Sequence, residues 1–144
     1  MIRKAGSQDV AAIADLAILM WKDNTLEDLI AEFSELIRDE EAQFFLKYER
    51  DVPVGFAQCQ LRHDYVEGTG TSPVGYLEGI FVKEGFRRKG YAKALLEECE
   101  KWAKERGCGE FASDCEFDND VSYRFHKAMN FAEANRKICF AKKI

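Results

Sequence analysis

The segment from Val74 to Cys115 constrains this chain more than any other part of it. Val74–Val82 is a largely apolar run of strand length. A basic turn follows, Arg87-Arg88-Lys89-Gly90. From about Lys89 to Arg106 the residues Tyr91, Ala94, Leu95, Cys99, Trp102 and Ala103 recur at the helical period, and Gly107 stands where a helix stops. Glu110–Cys115 reads as another strand. Strand, helix and strand in one sheet join by a right-handed crossover that leaves the two strands parallel. The C-terminal ends of both strands then open on one edge, where ligands bind in such layers.

The rest of the chain supplies the remaining layers. Ile2–Ala5 fits a short first strand. Ser7, before Asp9 and Val10, caps a helix whose apolar positions are Val10, Ile13, Ala14, Ala17, Ile18 and Trp21. Thr25 with Asp28 three places on opens a second helix to about Arg38, with Leu26, Leu29, Ile30, Phe33, Leu36 and Ile37 inside. Phe44–Glu49 and Val54–Arg62 pair as a hairpin through Arg50-Asp51-Val52-Pro53, and Asp64–Pro73 is a polar loop. Asp118–Met129 reads as a helix and Ile138–Ala141 as a final strand. No repeat or linker divides the chain. The expected fold class is α/β (α+β), a mixed central sheet flanked by helices in a single domain over residues 1–144.

Charge sharpens the functional reading. The chain has 26 acidic against 21 basic side chains, a net charge of −5, which argues against a nucleic-acid partner. The basic residues Lys83, Arg87, Arg88, Lys89 and Lys93 nevertheless cluster with only Glu84 to answer them. Trp21–Glu41 is strongly acidic, and Gly109–Asp120 holds Glu110, Asp114, Glu116, Asp118 and Asp120 with no base. A basic island in an acidic protein points to two ligands of opposite sign. Eleven Phe, five Tyr and two Trp exclude a disordered chain. No apolar run approaches the roughly 20 residues that span a bilayer. Met1-Ile2-Arg3-Lys4-Ala5 lacks the apolar stretch of a signal peptide, so a cytoplasmic location and no membrane partner are expected. The cysteines at 59, 99, 108, 115 and 139 are odd in number and form no metal-binding pair, so buried reduced thiols and no metal are expected.

The basic turn has the construction of an anion site. Main-chain N–H groups at a helix start converge on one space, and the helix dipole favours negative charge there. Gly90 lets an anion approach the backbone with no Cβ in the way. A P-loop is excluded because no Gly-Lys-Ser/Thr is present, and a dinucleotide fingerprint because only one of its three glycines is.

Arg87-Arg88-Lys89-Gly90-Tyr91-Ala92 resembles the Q/R-x-x-G-x-G/A motif with which GNAT acetyltransferases hold the pyrophosphate of acetyl-coenzyme A. The order of elements is similar to that superfamily over the whole chain. Arg62-His63-Asp64-Tyr65-Val66-Glu67-Gly68-Thr69, Ser72-Pro73, Leu77-Glu78-Gly79-Ile80-Phe81-Val82, Phe111-Ala112-Ser113-Asp114 and Asp118-Asn119-x-x-Ser122 with His126 look like aminoglycoside 6′-N-acetyltransferases within it. The resemblance implies acetyl transfer from acetyl-CoA to the 6′-amine of an aminoglycoside, in a direct ternary complex and without a metal. Antibiotic resistance would follow. Similar enzymes are often dimers, so a homodimer is an expectation too. Acetylation of another amine, such as a polyamine or a protein N-terminus, and a non-catalytic acyl-CoA sensor stand as rival readings.

Site residues follow. Glu78 interrupts an apolar strand, where desolvation favours a proton acceptor for an ammonium substrate; simple alternation puts it on the face of Tyr76, Ile80 and Val82. Asp114, ending the neighbouring strand, would face the same polycation. Gly79 would mark a bulge. Main-chain groups of Ile80, Phe81 and Val82 would polarise the thioester, while Arg88, Lys89, Gly90, Tyr91, Ala92 and Lys93 would hold the diphosphate. The resemblance makes Trp21 and Tyr65 walls of the aminoglycoside site, although an aromatic core residue is an equal account of Trp21. It also gives Asn119 a contact to coenzyme A and Asn135 a substrate contact, at a position where similar enzymes often have an acid. His126 replaces the Tyr that many GNAT enzymes use to protonate the departing thiolate, and it is read as an acid, a cofactor contact or a core histidine.

Overall fold

The computed structural model describes all 144 residues. In chain order it contains β1 (Ile2–Lys4), α1 (Val10–Met20), α2 (Leu26–Leu36), β2 (Ala42–Glu49), β3 (Val52–Arg62), β4 (Val74–Val82), α3 (Tyr91–Glu105), β5 (Phe111–Ala112) and α4 (Asp120–Ala128), with single 3-10 turns at Ser7–Asp9 and Glu84–Phe86. The strands form one mixed sheet in the order β1-β2-β3-β4-β5, antiparallel except for the parallel pair β4–β5. That is the pairing the strand–helix–strand unit demands. The β2–β3 hairpin turns on Arg50 and Asp51, both with positive φ, the two-residue geometry that matches strand twist.

Each face of the sheet buries its own core. On one, Ile13, Ala14, Leu16 and Ala17 of α1 and Leu29 and Phe33 of α2 pack on Phe44, Leu46 and Phe56. On the other, Leu95, Leu96, Cys99, Trp102 and Ala103 of α3 cover Phe45, Ala57, Cys59, Leu77 and Val82, with Phe125, Met129 and Phe131 from the α4 region alongside. Thr25 caps α2 as expected, its hydroxyl accepting from Asp28 N at 3.1 Å. The start of α1 differs. Gly6, not Ser7, occupies the N-cap of the turn that leads into it, and Asp9 accepts Gly6 N while pairing with Arg3.

Three further expectations are corrected. Ile138–Ala141 is not a strand: residues 130–144 have no regular structure, and Ile138 and Phe140 are exposed. Their alternation is strand-like, but β5, the edge strand, is only two residues long and the tail does not pair with it. The cysteines are all free but not all buried, since Cys139 lies exposed on that tail. Glu78 does not share a face with Ile80 and Val82. The register runs Gln58 to Gly79 and then Cys59 to Leu77, so Glu78 is an extra residue on β4. Leu77, Ile80 and Val82 all face α3, while Phe81 turns to the α1–α2 side.

Candidate active site

The extra residue at position 78 locates the site. Glu78 looks into a cleft of about 670 Å³ between the sheet and the start of the chain's helical layer. Trp21, Asn24, Glu32, Glu35 and Gln58 are among its walls. This volume falls in the range of small-molecule sites. Three carboxylates, Glu32, Glu35 and Glu78, line it; Arg62 pairs with Glu78 and Arg38 with Glu35 at 3.3 Å, which leaves Glu32 without a partner and the acids still in excess. Gln58 is 4% exposed, and its side-chain oxygen is buried with no partner, an acceptor left over on the same wall.

Trp21 sits at the C-cap of α1 and packs on Phe33 and Phe56, while its indole edge covers Gly79. The two accounts of Trp21 therefore coexist: one side of the ring belongs to the core and another to the cleft. Gly79 does stand at the bulge, and it also makes room for this contact, because a Cβ there would meet the indole at 2.7 Å.

Glu78 is 18% exposed on its side chain and is not alone. Arg62 Nε donates to Oε2 at 3.0 Å and a second guanidinium nitrogen donates to Oε1 at 2.8 Å. Arg62 lies flat on the Tyr76 ring, 3.5 Å from its centre, and the Tyr76 hydroxyl donates to Asp114. The chain Glu78–Arg62–Tyr76–Asp114 thus joins both predicted acids. Burial and the Asp114 carboxylate push the Tyr76 phenol well above its ordinary range, and the hydrogen bond to Glu78 raises Arg62 further. Both groups keep their protons in neutral solution.

β4 and β5 pair only through Gly75–Phe111 and Tyr76–Ala112. Beyond Tyr76 the strands part, so the outer backbone edge of β4 across Ile80, Phe81 and Val82 has no strand partner on that side. The turn after β4 carries two left-handed residues, Arg88 at φ 64 and Gly90 at φ 80. Such alternation turns successive N–H groups to one side and makes an anion nest. The first N–H groups of α3, those of Tyr91, Ala92 and Lys93, have no intrahelical acceptors. A Cβ at Gly90 would meet nothing within 4 Å, so the space before the helix is open. Arg88 and Lys93 are exposed there. Lys89 and Tyr91 are drawn instead to Glu49, at 3.7 Å and 2.5 Å. This donor set fits an anionic diphosphate.

His126 stands beside the gap between the strands. Its Nδ1 is 2.7 Å from the Ser122 carbonyl, which can only accept, so that nitrogen carries a proton. Nε2 is 2.7 Å from the Ser113 hydroxyl, which also reaches the Leu77 carbonyl at 3.5 Å. Asn119 caps α4 by accepting from Ser122 N at 3.1 Å, which leaves its amide group free. Tyr65, 77% exposed after β3, and Asn135, exposed on the tail with its oxygen on Arg136 N, do not line the cleft. Sequence reasoning singled out neither Arg62 nor Ser113, Gln58, Glu32 or Glu35 as individual residues. The partners of Arg62 and Ser113 lie 16 and 13 residues away across the fold, so no local spacing carried a signal.

Comparison with known proteins agrees with this geometry. The model of the acetyltransferase (GNAT) family matches residues 10–131. An aminoglycoside N(6′)-acetyltransferase type 1 of Acinetobacter haemolyticus is 36% identical, with 99% of this chain and 98% of that protein covered. One from Stenotrophomonas maltophilia is 39% identical over 96% of this chain and 90% of its own length. Among solved structures, AAC(6′)-Iy in complex with the bisubstrate analog CoA-S-monomethyl-acetylneamine superposes with a TM-score of 0.95 at 33% identity, covering 100% of this chain and 98% of that one. AAC(6′)-Ih from Acinetobacter baumannii gives 0.94 at 35% identity, with 100% and 98% covered. With its anion nest at the start of α3 and its parted parallel strands, the chain belongs to the GNAT acetyltransferase family.

Proposed function

We propose that this chain is an aminoglycoside 6′-N-acetyltransferase that uses acetyl-CoA as co-substrate and works by direct attack in a ternary complex. The observation that carries the reading is the pairing of two opposite fields: an acid-lined cleft on one side of β4 and a basic nest at the end of the same strand. Full-length similarity to proteins named for this activity supports it.

Acetyl-CoA supplies the activated acetyl thioester. The side chains of Arg88 and Lys93, with Gly90 and the main-chain N–H groups of Lys89, Tyr91 and Ala92, hold the diphosphate, and Asn119 offers its free amide to the same molecule. Backbone N–H groups on the open edge of Ile80–Val82 polarise the carbonyl. Glu78 attracts the substrate ammonium and accepts its proton through a water. Asp114, Trp21 and the cleft acids hold the rest of the sugar, with Tyr65 and Asn135 as outer contacts. His126 in its protonated form gives a proton to the Ser113 oxygen as that hydroxyl gives its own to the departing thiolate. Acetylation removes a cation from the drug, which weakens its hold on RNA and confers resistance.

The reading places the enzyme in the cytoplasm as a homodimer. Ile138, Phe140 and Ile144 are exposed along an irregular tail, an apolar segment that a second copy would cover. No helix is long and apolar enough to cross a membrane.

The deciding experiment is a thiol-release assay with acetyl-CoA across aminoglycosides, polyamines and peptide amines. Turnover on aminoglycosides carrying a 6′-amine is expected, and none on any of them overturns the proposal. Light scattering on the full chain and on a form shortened before Ala132 checks the dimer, which the shortened form is expected to lose.

A further inference from the structure

Each oxygen of Glu78 already accepts a hydrogen bond from a cation of the protein itself. The Arg62 guanidinium covers them at 2.8 and 3.0 Å. It also stacks on Tyr76, whose hydroxyl reaches Asp114, so a single cation bridges the two acids assigned to the substrate. The two partners differ in freedom. Glu78 is fixed on β4 with 18% of its side chain exposed, whereas Arg62 ends β3 with 43% exposed, next to the exposed residues His63, Asp64 and Tyr65. Arg62 can swing into solvent on its long stem without opening either core.

We infer that Arg62 is a resident counter-cation that a substrate ammonium must displace, and that this exchange makes the site select an amine over a hydroxyl at the reacting position. The inference rests on the proposed acetylation of a cationic amine and specifies how that site chooses its ligand. Removing the guanidinium from a half-buried carboxylate leaves that charge uncompensated unless another cation replaces it. An ammonium restores the charge and donates up to three hydrogen bonds. A hydroxyl donates one and brings no charge, so Arg62 keeps Glu78 and the neutral ligand gains nothing there. The exchange at Glu78 is close to balanced for an ammonium, and net affinity then comes from further ammonium groups meeting Glu32, which has no partner, and the exposed Glu35, which Arg38 holds at 3.3 Å. Arg62 is therefore a specificity-determining residue rather than a catalytic one.

Neomycin B and paromomycin test this, because they differ only in an amine or a hydroxyl at the 6′ carbon. The side-chain Nε–H signal of Arg62, identified by its absence in Arg62→Lys, is followed by NMR on the wild-type chain without acetyl-CoA. At saturation with neomycin B the signal is expected to lose its hydrogen-bonded shift and exchange rapidly with water; with paromomycin it is expected to remain. Calorimetry on Arg62→Gln is expected to read neomycin B binding roughly tenfold tighter, the scale of one charge-assisted contact no longer displaced, with a smaller gain for paromomycin. Persistence of the Arg62 signal in the neomycin B complex overturns the inference, as does its loss with both ligands. Displacement by neomycin B in a protein that never acetylates it sinks the proposed activity alone; turnover of neomycin B with Arg62 still seated sinks the exchange alone.

Discussion

The indole of Trp21 lies so close to Gly79 that a Cβ at position 79 would stand 2.7 Å from two of its ring carbons. The ring cannot retreat freely, because Phe33 and Phe56 pack against it at 6.5 and 6.1 Å between ring centres. Gly79→Ala should therefore cost about 1–3 kcal/mol of stability, the usual penalty of overpacking. It should also raise KM for the amine substrate by displacing a cleft wall. Urea unfolding and steady-state kinetics check the two effects.

Glu78→Gln keeps the shape of the side chain and removes its charge and its capacity to take a proton. The kcat for aminoglycosides should fall by roughly 10²–10⁴, the range of a positioned general base. A fall confined to KM would leave Glu78 as a binding group and move the base elsewhere.

Glu32 and Glu35 sit on successive turns of α2 over the cleft. The double change Glu32→Gln, Glu35→Gln should raise KM for polycationic substrates about tenfold, with little change for a monoamine, because exposed charges act mainly through the summed field. The effect should shrink as salt is raised, which kinetics at several ionic strengths will read.

His126→Gln retains hydrogen-bonding capacity toward Ser113 but cannot deliver a proton. We expect kcat to fall roughly 10²-fold, with thermal stability less affected, and the loss to be smaller for a thioester whose thiol is more acidic. Equal losses for all thioesters would make the residue a packing element of α4.

Asp9 links acid stability to the fold. Arg3 donates to it at 2.7 and 3.0 Å and Gly6 N at 2.8 Å, which hold its carboxyl below the ordinary range. A depressed folded pKa stabilises the protein fully above the unfolded value of about 4, and that contribution is lost as pH falls through the folded value. Asp9→Asn should cost about 2 kcal/mol at neutral pH. The variant should also flatten the dependence of unfolding free energy on pH below about 4, measured by denaturant titration.

The sequence made much of this legible, and the failures have a common cause. Val74–Val82, the Thr25 cap and the basic turn before α3 were readable because each depends on neighbours within one element. Local spacing carries those signals. Glu78 stands out in the sequence by its chemistry, but its facing does not, since a bulge is a property of two paired strands. Arg62 and Ser113 were not singled out for the same reason: their partners are brought close only by the sheet and the packing of α4. Ile138–Ala141 alternates like a strand, but alternation cannot state whether an edge exists to receive it.

The bulge on β4 has a consequence for how the protein can change. Because positions 78 and 79 together oppose the single residue Gln58, deleting either would restore plain alternation and leave Leu77, Ile80 and Val82 toward α3 and Phe81 toward α1 and α2. The acid cleft opens at that bulge, and the open backbone edge lies beyond it. The bulge is therefore spare length: the strand beyond it stays paired with β3 whether one or two residues oppose Gln58, so the cleft can be altered there by substitution or by deletion while the cofactor edge keeps its place.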